Sequence, residues 1–166
     1  MILKHIGLLL LAFIIQSTVV ENLSIQDIKP DFIIIILIYV SLSSGSLVGV
    51  ILGFSVGLLQ DFYGPPDNLG LNALCKTLVG FGVGIAKEGL YKDSLFILII
   101  TIGGSFLAHD GLYHIINSSF SIEHALSQFL SISLLSAVYT IFASVVLIVL
   151  FTYRRGQINA RRLFPE

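Results

Sequence analysis

The sequence predicts an all-α integral membrane protein, a bundle of six transmembrane helices, on three observations. First, 55% of the 166 residues are hydrophobic and only 11% are charged, with a mean hydropathy of +0.96. A soluble domain carries about 25% charged residues, and a water-soluble fold of this size cannot hide so much apolar surface. Second, the apolar residues gather in runs divided by short polar breaks. Third, Lys and Arg cluster in alternate breaks, as the positive-inside bias demands. Six spans of about 20 residues use about 120 positions. Only short loops and a tail are left, so no soluble catalytic or cytoskeletal domain fits. The net charge of −1 says little, and the single cysteine, Cys75, excludes an internal disulfide and any multi-cysteine metal site.

The expected domain is 1–153, with spans at about 6–23, 32–44, 46–59, 71–86, 94–116 and 125–153 and a basic tail at 154–166. Lys4 and His5 precede the first run as a secretory signal would have it, but no A-x-A-like cleavage site follows, so the segment reads as a retained span. Gln16-Ser17-Thr18 places hydrogen-bonding groups late in that span, where interhelical polar contacts are the default. Pro30-Asp31 opens the second span, and a negative charge suits a helix N-terminus. The stretch "FIIIILIYVSLSSGSLVGVILGFSVGLL" is either one helix of 28 residues or a hairpin turning at Ser43-Ser44-Gly45. Charge decides. With a hairpin, Lys4, Lys87, Lys92, Arg154, Arg155, Arg161 and Arg162 fall on one side, Lys29 being the loop exception. Both termini are then expected in the cytoplasm, with Glu21, Asp27, Asp31, Asp61, Asp67, Asp110 and Glu123 facing outward.

Gly45, Gly49, Gly53 and Gly57 form overlapping G-x-x-x-G units. A spacing of four keeps them in a shallow stripe on one helix face, where two backbones can approach closely. The neighbour is either another helix of this chain or a partner's. Asp61 continues the stripe four residues beyond Gly57, at a helix C-terminus whose dipole it opposes. Lys76, inside the apolar run of the fourth span, is the expected partner, an Asp61–Lys76 clasp between spans three and four. The other reading is that this glycine-lined corner receives a protein or a ligand. Pro65-Pro66 breaks the third helix, and Asp67 or Asn68 is placed to cap the fourth.

Gln16-Ser17-Thr18, Pro30-Asp31, Gly49-x-x-x-Gly53-Phe54-x-x-Gly57-Leu58-x-Gln60-Asp61 and Leu69-Gly70-Leu71-Asn72-Ala73, in this order, resemble the bacterial rod shape-determining protein family MreD. The resemblance covers the chain in length and span order, and its motifs cover residues 16–73. It marks Gln60, Asp61, Gly70, Asn72, Asp31 and Gln16, which together with Lys76, read from its place in the apolar run, make the expected outer polar motif beside the glycine stripe. It implies a non-enzymatic subunit of the cell-elongation machinery in the cytoplasmic membrane. The implied partners are MreC, MreB filaments (directly or through MreC), and the RodA and class B penicillin-binding protein complex. It also implies a fold like the substrate-binding subunits of ECF transporters. The alternative function is accordingly a vitamin-binding membrane subunit, against which Ala12 stands as the lone alanine of a span that would need an A-x-x-x-A face.

Other signals are weaker. Gly53-Phe54-Ser55-Val56-Gly57 spells a nucleophile elbow but lies mid-helix in a span, not at a strand–turn–helix bend. His109, Asp110, His114 and His124 cluster without a second strong metal-ligand spacing. The arginine pairs suit topology and anionic lipid. No catalytic residue, cofactor, metal or nucleic-acid contact is expected.

Overall fold

The computed structural model describes residues 2–20, 24, 28–89, 95–118 and 121–163. Glu21, Asp27 and Lys92 lie outside the described residues, as do the side chains of Arg154, Arg155, Arg161 and Arg162. The elements are α1 (Ile2–Ile15), continued by a π turn (Gln16–Val20), then α2 (Phe32–Ser44), α3 (Ser46–Tyr63), α4 (Leu71–Ala86) and α5 (Leu95–Asn117). α6 (Ile122–Gln128) and α7 (Leu134–Leu163) are joined without a break by a π segment, Phe129–Ser133. Among the described residues every regular element of more than one residue is a helix.

Ser46–Tyr63, Pro66–Ala86, Phe96–Asn117 and Ile122–Leu150 are long and apolar enough to cross a membrane, while Leu3–Thr18 and Phe32–Ser44 are apolar but shorter. α2 has only 13 residues. At 1.5 Å per residue that is about 20 Å, against a hydrocarbon core of about 30 Å. The non-helical segment 28–31 leads into it, with Pro30 buried.

α2 is apolar on every face, and such a helix belongs in the interior. It packs against α1, α3, α4, α5 and α7. Ile33, Leu37 and Val40 join Leu9, Ala12, Leu52 and Val56 in one core cluster, while Ile34, Ile38 and Leu42 join Val79, Val83, Ile102 and Phe106 in the other. The α2–α3 turn is made at Gly45, whose φ of +93° only glycine adopts cheaply. Gly45 is therefore the turn residue, and its backbone also lies against α4, a Cβ built on Gly84 falling 2.8 Å from the Gly45 carbonyl carbon. His5 Nδ1 lies 3.2 Å from Ser44 Oγ, and Lys87 Nζ donates to the Ser43 carbonyl. The start of α1, the α2–α3 turn and the end of α4 thus share one end of the bundle.

The closest helix pair is α3 with α4. A Cβ built on Gly49 would lie 2.5 Å from the Gly80 carbonyl oxygen. On Gly53 it would lie 2.5 Å from the Lys76 carbonyl oxygen, and on Gly57 2.5 Å from Ala73 Cα. Gly80 and Gly84 answer from α4 against Gly49 and Ser46. The stripe is thus covered by this chain's own α4, and a partner helix docked along it is excluded by contact.

The obstacles at Gly53 are backbone atoms, which cannot swing aside. Gly53→Ala is expected to cost about 1–3 kcal/mol, the usual penalty of overpacking. Gly82→Ala and Gly104→Ala, where an added Cβ meets nothing within 4 Å, are expected to stay within about 0.5 kcal/mol of the parent. Thermal unfolding of the purified chain in detergent reads both.

Candidate functional site

The end of the bundle opposite the Gly45 turn brings together Gln16, Asp31, Gln60, Asn72, Lys76 and Asp110. Non-helical backbone at membrane depth survives only where protein or a water-filled cavity satisfies its polar groups. Segment 28–31 meets that condition through side chains. Lys29 N donates to Ser136 Oγ at 3.4 Å and Asp31 N to Thr140 Oγ1 at 3.1 Å, both acceptors lying on α7. Gln16, the first residue of the π turn, works as a clip: its Nε2 donates to the Pro30 carbonyl at 3.0 Å and its Oε1 accepts from Phe32 N at 2.9 Å. Asp31 Oδ1 then caps α2 by accepting from Ile34 N at 2.9 Å.

The second oxygen of Asp31 accepts from Lys76 Nζ at 3.1 Å. Lys76 Nζ also lies 3.1 Å from His109 Nε2, and His109 Nδ1 lies 3.1 Å from Asp110 Oδ1. An ammonium has only donors, so Nε2 is the accepting nitrogen of His109, and the proton on Nδ1 is donated to Asp110. Asp31, Lys76, His109 and Asp110 thereby form one hydrogen-bonded chain across the start of α2, α4 and α5. Intramembrane ionisable groups are expected to pair and face the interior; Lys76 and His109 are buried.

The Asp61–Lys76 clasp is absent; Lys76 belongs to Asp31. Asp61 is instead the cap of α4. Its carboxylate accepts four hydrogen bonds, each of 3.0 Å: from Gly70 N, Asn72 N, Ala73 N and Asn72 Nδ2. The physical reason is the unpaired N–H groups at the start of a helix. Gly70, with φ +92° and no side chain, occupies the N-cap position of α4 and cannot serve them. The acceptor therefore arrives from α3, which runs to Tyr63, a turn beyond the span end at 59. The positive end of the α4 dipole offsets the negative end of α3. Asp67 and Asn68 sit in a 3-10 turn, Pro66–Asn68, and do not cap α4; Asn68 Nδ2 reaches Tyr113 OH at 3.3 Å.

A cavity of about 370 Å³ opens beside this assembly, with Gln16, Asp31, Gln60, Asn72, Lys76 and Asp110 in its lining. Gln60 Oε1 is buried with no hydrogen-bond partner among the described residues. The histidines divide. His109 belongs to the ion chain, His114 Nδ1 lies 2.9 Å from Gln128 Oε1, and His124 is exposed. Among the described residues no three His, Cys, Asp or Glu side chains are grouped to hold a metal. Ser55 of the G-x-S-x-G stretch bonds the Ile51 carbonyl one turn back on its own helix.

The match to the family model for rod shape-determining protein MreD runs over residues 2–155. The chain belongs to the MreD family. No curated protein and no solved structure matches it significantly. In this MreD-family chain the motif residues that lie far apart in sequence converge in pairs: Gln16 on Pro30 and Phe32, Asp61 on Gly70 and Asn72. Sequence reasoning missed His109 as the second neighbour of Lys76, and Ser136 and Thr140 as acceptors. The signal for His109 was there, since His109-Asp110 interrupts an apolar run and buried ionisable groups require company. Nothing in the sequence marks which hydroxyls of α7 meet residue 31.

Removing one partner of a buried ion pair costs about 3–5 kcal/mol because the other charge is stranded. Asp31→Asn and Lys76→Met are each expected to approach that loss, and the double variant to lose clearly less than the sum. Asp61→Ala, which orphans four donors, is expected to lower stability by about 2–4 kcal/mol. Chemical or thermal unfolding in detergent measures all of these.

Proposed function

We infer that this MreD-family chain, with several helices long and apolar enough to cross a membrane, takes part in rod-shape determination as a multi-pass membrane protein. We propose that it acts as a non-catalytic scaffold of the elongation complex in the cytoplasmic membrane. In this reading it binds MreC, linking MreB filaments to peptidoglycan synthesis by RodA and its class B penicillin-binding protein. The observation that carries the proposal is the family match across residues 2–155. Two structural facts support it. The ionisable groups that converge inside the bundle, Asp31, Asp61, Lys76 and His109, are engaged with helix ends and with one another. The glycine stripe makes α3 and α4 a close-packed, stiff pair, which suits a platform.

The proposal includes orientation. Lys4 on α1 and Lys87 after α4 belong to the end that holds the Gly45 turn, and a shared basic end favours the cytoplasm. The Asp31–Asp61 end is then periplasmic. The proposal also covers architecture: short apolar helices with a polar cavity at one end suit the plan of the ECF transporter substrate-binding subunits.

Depletion from a rod-shaped host with no second copy is expected to turn rods into spheres, and affinity capture from native membranes to recover a single-span partner. Continued rod growth under depletion, or capture without such a partner, overturns the scaffold. Since the α3–α4 stripe is filled internally, Gly53→Ala is expected to weaken capture only in proportion to its loss of folded protein.

A further inference from the structure

We propose that the cavity at the Asp31 end of the bundle binds a zwitterionic primary amine, an ammonium group bearing a neighbouring anionic group. This inference stands apart from the role in cell shape. It begins with which charges the cavity exposes. Lys76 and His109 keep only 1% and 5% of their side-chain surface open, whereas Asp31 and Asp110 keep 14% and 20%. All four line the cavity. A ligand therefore meets two carboxylates, while Lys76, already bonded to Asp31 and His109, lies behind them.

The unused hydrogen-bonding capacity has the same sign. Gln60 Oε1, an acceptor without a partner among the described residues, lies on a residue of the same lining. A buried acceptor left empty is costly, and a donor supplied by a ligand relieves it. Carboxylates facing a low-dielectric recess favour a cation, and N–H donors let them form charge-assisted hydrogen bonds. A quaternary ammonium offers no N–H, so the recess suits a primary amine. Phe106 and Tyr113 also line the cavity, within one helical turn of Asp110 on α5. A metal ion does not suit the site, since no three ligating side chains are grouped among the described residues.

The anionic half of the ligand follows from Lys29. It is the exposed cation of the lining, and its backbone N–H is held by Ser136 Oγ. An ammonium before Asp110 and Asp31 and an anion before Lys29 describe a zwitterion. Two sources carry that chemistry, the phosphoethanolamine headgroup of a lipid and a free soluble amine.

The full chain, purified in detergent, is offered equal amounts of phosphatidylethanolamine, phosphatidylcholine and phosphatidylglycerol and examined by native mass spectrometry. In parallel, its thermal unfolding is followed against free O-phosphoethanolamine, because a ligand of the native state raises the midpoint with concentration. Selective retention of phosphatidylethanolamine assigns the site to a lipid headgroup. A saturable midpoint shift with O-phosphoethanolamine assigns it to a soluble amine. Asp110→Asn keeps an acceptor for His109 and is expected to weaken either binding about tenfold, the loss of one charge-assisted hydrogen bond. Lys29→Gln, an exposed change with little bearing on folding, is expected to weaken it severalfold. Equal retention of the three lipids with no saturable shift overturns the proposal. So does undiminished binding by folded Lys29→Gln and Asp110→Asn protein.

Discussion

Every backbone polar group inside a bilayer must find a partner within the protein, and segment 28–31 is where this chain meets that demand without a helix. Its N–H and C=O groups go to Ser136, Thr140 and Gln16, side chains from α7 and from the end of α1. α2 can then start deep in the bundle, with Asp31 as its cap. Once a carboxylate is held at that depth it needs a cation, and Lys76 supplies one from α4. The remaining contact of Lys76 draws in His109, and through it Asp110. One backbone requirement thus organises five helices, α1, α2, α4, α5 and α7, around a short polar chain.

The α3–α4 pair rests on a second, linked constraint. Helices in lipid gain nothing from the hydrophobic effect between them, so contact depends on close approach and polar bonds. Gly49, Gly53 and Gly57 allow the approach against Gly80, Lys76 and Ala73. Asp61 supplies the polar bonds at the end of the same stripe, four residues past Gly57. Because the helices are antiparallel, the end of α3 lies beside the start of α4, where free N–H groups and a positive dipole end await an acceptor. A carboxylate that is unfavourable for its own helix is favourable for its neighbour.

These two constraints give a membership in the MreD family physical content. The motif residues at 16, 30–31, 60–61 and 70–73 do not form one reactive constellation. Most of them close the ends of predominantly apolar helices, and a polar recess lies at that end of the bundle.

Composition and the positions of charge are enough to show a helical membrane bundle, because the cost of leaving apolar surface in water or charge in lipid is local and additive along the chain. Glycine spacing likewise announces a close helix contact from the sequence, since spacing alone determines which residues share a face. Which face meets which helix is a different kind of fact. The sequence favoured Asp61 for Lys76 on depth, yet Asp31 holds that place, because the N–H groups around Gly70 claim Asp61 first. Nor does any local pattern bring Thr140 to residue 31 across 109 positions. Partner choice among buried polar groups is a competition decided by three-dimensional proximity, and only the folded bundle resolves it.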